Sequence, residues 1–350
     1  MNRPAPSSLA AIGDRVERRI AGLLATERAR WTAVDADLGE PFDALAEFVA
    51  AGGKRLRPAF CHWAYAGAGG ADERAATDAG AALELLHSFA LVHDDVMDAS
   101  AFRRGLPAVH TRFADAHAAE GWRGSSGHYG ESVAILVGDL AFVYADQLLH
   151  DVSPAARAVF TELRIEVNVG QYLDVKAGAD GRHARDRARR ISVLKSGKYT
   201  VERPLHLGAA LAGRLDDLGP GLSAYGLPLG EAFQMRDDLL GAFGEELLLG
   251  KPVGGDLREG KVTELVSAAR EVASPAALAV LDRIGAHDLS DEEVRRLQEV
   301  LVETGARDAM EARIHELTSR AVEALTGAGL DPTATAELEA LAAFIAARDS

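Results

Sequence analysis

Helical periodicity runs through almost the whole chain and breaks only at Gly and Pro, which leaves few folds open. It predicts helices over residues 8–34, 39–50, 58–68, 72–97, 131–150, 154–176, 184–213 and 221–242, with four or five more up to 347. The helix over 184–213 is expected to kink near Pro204. Residues 99–130, which hold RRGLP and GWRGSSGHYG, read as loop with a short helix, and GEELLLGKPVGGD reads as loop. Beta-branched runs are scarce and aromatics make up 6%. Ala and Leu dominate, and with Glu and Arg they are the strong helix formers. No fixed-period repeat, low-complexity tract or linker interrupts the 350 residues. The expectation is an all-α chain, one domain over 1–350, built as a single large helical bundle around a deep apolar cavity.

The formal net charge of −15 argues against general nucleic-acid binding, which needs clustered cations. It leaves small anions open, because a few local cations or metals override an average. One cysteine, Cys61, excludes an intrachain disulfide and fits a reducing, cytoplasmic setting. The N-terminal stretch carries no signal-peptide pattern, and no apolar run is long enough to span a membrane. The apolar segment Ala79 to Val92 is interrupted by Glu84 and His87, as in a buried core helix.

That helix ends in His93-Asp94-Asp95-Val96-Met97-Asp98. Positions i and i+4 share a helix face, so Asp94 and Asp98 point the same way with Asp95 beside them. Carboxylates so close repel unless cations neutralise them. Magnesium suits such a cluster, because it shares a few carboxylates with phosphate oxygens and water. A second pair, Asp237-Asp238, lies in FQMRDDLLG. Either pair alone is as easily a solvated helix end. Two pairs at the ends of two apolar helices suggest a metal-lined mouth over an apolar cavity. Asp216-Asp217, before Leu-Gly-Pro, reads as an ordinary loop pair.

Matching cations are present. Gly52-Gly53-Lys54-Arg55-Leu56-Arg57 places three of them behind two glycines, whose backbone lets an anion approach. Arg103-Arg104-Gly105, Lys195-Ser196-Gly197-Lys198 and the Lys251 to Lys261 loop add more. Arg182 to Arg190 lacks any Gly or Asp framework and reads as a solvated face.

GGKRLRP, HDDVMD with RRG, LVGDLAF, LKSGKYT, and FQMRDDLLG with GKPVGGDLREGK follow one another between residues 52 and 261. In this order they resemble the trans-isoprenyl diphosphate synthase family (polyprenyl synthetases), most of all bacterial geranylgeranyl diphosphate synthases. The resemblance implies a prenyltransferase that condenses isopentenyl diphosphate with an allylic diphosphate (dimethylallyl, geranyl or farnesyl), with three magnesium ions per site. It implies metal binding by Asp94, Asp95, Asp98, Asp237 and Asp238. Lys54, Arg57, His87 and Arg104 would bind isopentenyl diphosphate. Arg103, Lys195, Lys251 and Lys261 would contact the allylic diphosphate, and Asp174 would pair with cations there. Gln171, Ser196 and Gln234 would line the reacting centre. A catalytic set of Asp94, Asp98, Arg103, Lys195, Asp237 and Lys251 follows, as does a homodimer.

The second motif of the family ends in Asp where this chain has Gly241. Phe89 lies five residues before Asp94, about 7–8 Å along the helix at 1.5 Å per residue. With the small Ala90 beside it, one aromatic here resembles synthases that stop at twenty carbons. A Phe in this place is otherwise simply core. The alternatives are a farnesyl or longer-chain synthase, a class I terpene cyclase (Asp237, Asp238 and Glu245 fit the spacing of its second motif) or a non-catalytic subunit of a heteromeric synthase.

Overall fold

Side chains that cap helix ends set where several helices start. Asp72, in extended backbone, accepts from the N–H groups of Arg74 and Ala75. Ser125, Thr263, Ser274 and Ser290 cap later helices in the same way. The computed structural model describes residues 5–180, 185–244, 254–261 and 263–347.

Helices α1 (Ser7–Thr32), α2 (Gly39–Ala50), α3 (Leu56–Gly67) and α4 (Glu73–Met97) come first. A hairpin of β1 (Phe102–Arg103) and β2 (Leu106–Pro107) follows, antiparallel, with Phe102 opposite Pro107. Its turn, Arg104-Gly105, has positive φ at both residues (54° and 75°), as a two-residue hairpin turn needs. Next come α5 (Val109–Ala119), α6 (Ser126–Leu148), α7 (Pro154–Asp180) and α8 (Arg185–Ile191). From Ser192 to Glu202 the chain widens into a π-helix, then returns to α-helix in α9 (Arg203–Leu211) and α10 (Leu215–Phe243). The described residues end with α11 (Gly255–Glu259), α12 (Glu264–Val272), α13 (Pro275–Leu281), α14 (Asp291–Glu303), α15 (Ala306–Leu325) and α16 (Pro332–Ala347).

Helix α4 is central. It packs on α6, α3 and α1, and Ala79, Ala81, Ala82, Leu83, Leu85 and Leu86 are fully buried there. Helix α10 packs on α15, the π-helix and α9. Its residue Phe233 joins one apolar cluster while Met235 and Leu239 join the next, so α10 ties the two together. Among the described residues no helix is long and apolar enough to cross a membrane.

The helical expectation for the chain holds, with local corrections. Residues 184–213 are not one helix: among the described residues they form α8, the π-helix and α9. Pro204 sits in the first turn of α9, where a missing N–H costs nothing, and the irregularity is the π-helix before it. Asp216-Asp217 is not a loop pair: both residues lie in the first turn of α10, where the helix dipole favours acids. That helix begins at Leu215 rather than at 221 and carries Pro220 and Pro228 inside it. Residues 99–130 hold the hairpin, α5 and the start of α6. After Gly254 six helices, not four or five, are described.

The π-helix meets α10 where two glycines face each other. A Cβ on Gly230 would lie 2.5 Å from the Gly197 carbonyl oxygen, which is backbone and cannot rotate away. Gly230→Ala should therefore separate the two helices. We expect a loss of about 1–3 kcal/mol, seen as a lower urea midpoint, with the π-helix displaced.

Candidate active site

One cavity of about 720 Å³ opens among α3, α4, the hairpin, α7, the π-helix and α10, a volume typical of small-molecule sites. Its lining gathers residues that stand up to about 200 positions apart in the chain. Lys54, Arg57, His87, Phe89, Ala90 and Asp94 line it from the first half, with Arg103 and Arg104. Gln171, Asp174, Lys195 and Ser196 come from α7 and the π-helix, and Gln234, Asp237, Asp238 and Lys261 from α10 and beyond. Lys251 and Glu245 lie outside the described residues.

The acidic side is organised by partly buried cations. Lys195 Nζ donates to Asp94 Oδ1 (3.0 Å) and to Asp174 Oδ2 (2.6 Å). Gln171 Nε2 also donates to Asp94 Oδ1, at 2.9 Å. The backbone of α7 comes this close because position 170 is Gly; a Cβ there would lie 2.6 Å from the Lys195 amide nitrogen. Burial raises the Asp94 pKa, but Lys195, Lys261 and Arg103 outweigh it and hold the carboxyl below its usual value. Burial and the neighbouring Asp94 push Asp98 up to about 6. Lys261 Nζ stands 2.7 Å from Glu259, 3.5 Å from Asp256 and 3.9 Å from Asp98. Burial also holds Asp238 well above the usual carboxyl range, although it accepts from Gln234 at 2.7 Å.

Asp95 sits apart from Asp94 in the structure. It does not line the cavity, is 1% exposed, and accepts from Arg103 Nε at 2.9 Å. The geometry makes it the anchor of Arg103, whose Nη2 then stands 3.9 Å from Asp94 Oδ2. Asp98 also falls outside the cavity lining and faces Lys261.

The basic side joins α3, α4 and the hairpin. Arg104 Nη1 donates to the Gly52 carbonyl and so ties the hairpin turn to the glycine loop. Arg57 lies over the Tyr199 ring at 4.2 Å and donates to Thr200 Oγ1 at 2.9 Å. His87 Nδ1 is 3.0 Å from the Tyr199 hydroxyl. Burial first, then Arg57, Arg104, Arg55 and Arg103, holds His87 well below the usual imidazole range. Burial also keeps the Tyr199 phenol protonated. A neutral imidazole pairs with that phenol through Nδ1.

Residues that sequence reasoning left unassigned complete the site. Tyr199 and Glu84 line the cavity, and Asp256 stands beside Gly241. A Cβ on Gly241 would fall on the Asp256 carboxylate. The Asp256 carboxylate on α11 thus lies against the position where the family's second motif usually carries its last Asp. The signal available in the sequence was the single Asp of GKPVGGDLREGK that precedes a Lys by five residues.

An all-helical bundle with opposed acidic and basic walls over an apolar pocket defines a class that handles anionic, partly apolar ligands. Residues 40–301 match the polyprenyl synthetase family. The chain is 34% identical over 280 residues to the geranylgeranyl diphosphate synthase of Methanosarcina mazei, covering 77% of this chain and 78% of that protein. It is 32% identical over 290 residues to the geranylfarnesyl diphosphate synthase of Aeropyrum pernix, covering 79% and 84%. The crystal structure of geranylgeranyl pyrophosphate synthase from Corynebacterium glutamicum, complexed with isoprenyl diphosphate and magnesium, superposes with a TM-score of 0.93 at 34% identity. That match covers 97% of this chain and 99% of the other. The chain belongs to the polyprenyl synthetase family and is a prenyltransferase.

Gly241→Asp, which would write the family's usual acid back into the motif, should harm this chain because two carboxylates would compete for one space. We expect a loss of about 1–3 kcal/mol in thermal unfolding. Adding Asp256→Gly should recover most of it. A single variant as stable as the parent would show that both acids fit.

Proposed function

We propose that this prenyltransferase condenses isopentenyl diphosphate with an allylic diphosphate and extends it to geranylgeranyl diphosphate. The observation that carries the reading is the cavity's arrangement: cations on one wall, carboxylates and lysines on the other, and apolar lining that includes the Phe89 ring.

On this reading the basic wall holds isopentenyl diphosphate. Lys54, Arg57 and Arg104 supply charge, and His87 adds an uncharged hydrogen-bonding ring. Arg103, Lys195 and Lys261 hold the allylic diphosphate, and Lys251 belongs with them by resemblance. Asp174 positions Lys195, and Asp95 positions Arg103. Gln171, Ser196 and Gln234 flank the reacting carbons. Apolar lining from Phe89, Ala90, Leu91, Val167, Ile191 and Phe233 keeps water from the allylic cation. The isopentenyl double bond attacks that cation as the allylic C–O bond breaks. The departing diphosphate then accepts the proton lost from the condensed product.

The residues fit magnesium. Their donors are carboxylate oxygens, and the Asp94–Asp98 crowding is of the kind a cation relieves. Among the described residues no three acidic, His or Cys side chains form a ligand set on their own, so phosphate oxygens and water would complete each shell. Asp94 and Asp98 would hold ions on one side and Asp237 on the other, three in all, with Asp238 supporting. Magnesium bound there supplies electrostatic stabilisation of the leaving diphosphate.

Product length is read from Phe89. Its ring packs 4.6 Å from His93 and 4.8 Å from Phe142, and Leu85 and Leu86, a turn deeper, are fully buried outside the cavity. A homodimer fits the exposed apolar faces of α6 (Leu136, Val143) and α7 (Ile165, Val169, Tyr172), which have no cover within the described chain.

Purified protein with magnesium, isopentenyl diphosphate and each allylic starter should form a twenty-carbon diphosphate, read by mass spectrometry. Asp94→Ala should lower turnover by about a hundredfold or more. Phe89→Ala should lengthen the product; an unchanged product would remove Phe89 as the floor. Light scattering should give twice the 37.0 kDa of one chain, and Val143→Glu with Val169→Glu should return it to one.

A further inference from the structure

Within GGKRLRP, Lys54 and Arg57 have roles in the proposed diphosphate site, but Arg55 has a different set of partners. It adopts left-handed backbone (φ 49°), a conformation that costs a residue with a Cβ and persists only where its surroundings impose it. It is 6% exposed. Its Nη2 donates to the Val49 carbonyl near the end of α2 (2.6 Å), and its Nη1 to Glu84 Oε2 on α4 (2.6 Å). Nε and Nη2 reach Glu17 Oε1 on α1, at 3.0 and 2.8 Å. The Arg55 stem lies against Gly13 of α1, where an added Cβ would come 3.2 Å from Arg55 Cγ. One guanidinium thus joins three helices directly beneath the glycine loop.

Glu84 makes this arrangement consequential. It lines the cavity, is 2% exposed, and its Oε1 has no hydrogen-bond partner. Arg55 Nη1 donates to its other oxygen, Oε2. Without Arg55, a buried carboxylate would face the wall that holds Arg57, Arg104 and His87, and would repel an anion there.

We propose that Arg55 is a positioning residue rather than a phosphate ligand, and that α1, through Glu17 and Gly13, is part of the homoallylic diphosphate site. The proposal rests on the assignment of the basic wall to isopentenyl diphosphate. Helix α1 lies before residue 40, where the family match begins, so the match itself gives it no role in the site. A guanidinium already engaged by two carboxylates and a carbonyl has little left to offer a diphosphate. Its contribution is to hold residues 52–57 in the one conformation that aims Lys54 and Arg57.

Steady-state kinetics on the full chain tests this, with each substrate varied in turn. Arg55→Gln should raise the KM for isopentenyl diphosphate by about tenfold or more, in line with loss of charged hydrogen bonds, and leave the allylic KM within about twofold. Arg55→Gln with Glu84→Gln should recover a large part of that KM, because the uncompensated charge is gone; a residue that only stabilised the fold would show no such rescue. Glu17→Gln, at a partly exposed position that tolerates change, should raise the same KM by about threefold with kcat unchanged. The proposal fails if Arg55→Gln moves both KM values together, if the double variant is no better than the single, or if Glu17→Gln leaves the isopentenyl KM at the parent value. Failure of the parent protein to condense the substrates at all would instead overturn the assignment of the wall.

Discussion

The ion pair on which the site depends is that of Lys195 with Asp94 and Asp174. It joins the end of α4, the middle of α7 and the π-helix through one largely buried ammonium. Each partner alone would be costly to bury, and together they compensate one another. The surrounding geometry serves this contact. Gly170 lets α7 approach the Lys195 backbone, and the Gly197–Gly230 contact seats the π-helix on α10, which carries the second acidic pair. The π-helix is a local irregularity, but it is where Lys195, Ser196 and Tyr199 enter the cavity together.

The same principle explains how a chain of net charge −15 handles anions. The average charge is spread over the surface, while the cavity is divided into opposed walls. Burial strengthens the field inside. His87 stays neutral beside four guanidinium groups, so that wall carries an uncharged ring among its charges. Asp98, raised by burial and by Asp94, shows the opposite crowding on the other wall.

Much of this was legible before any coordinates. The apolar run ending in HDDVMD fixed a helix and aimed Asp94 along one face, since spacing along a helix is local geometry. The glycine and arginine runs marked the basic wall because their residue types have few other uses in that combination. What local pattern could not show was pairing across distance. Asp95 was placed beside Asp94 and Asp98, but its partner, Arg103, could not be read from the helix because the packed hairpin supplies it. Pro204 stands in the first turn of α9, directly after a π-helix that packs against α10 and that the periodicity gave no sign of. Asp256 had no reason to stand out until α11 brought its carboxylate against Gly241.

The sequence by itself determined the all-helical architecture, the two acidic motifs, the basic loops and the family to which they belong. Each depends on contacts within a few residues: helix periodicity, i to i+4 spacing, and glycine before cations. The tertiary structure decided which acid faces which cation, that the Asp256 carboxylate lies against Gly241, and that Arg55 is bound to α1, α2 and α4. Those are questions of which distant side chains share a buried space, and burial is what makes one pairing prevail over another.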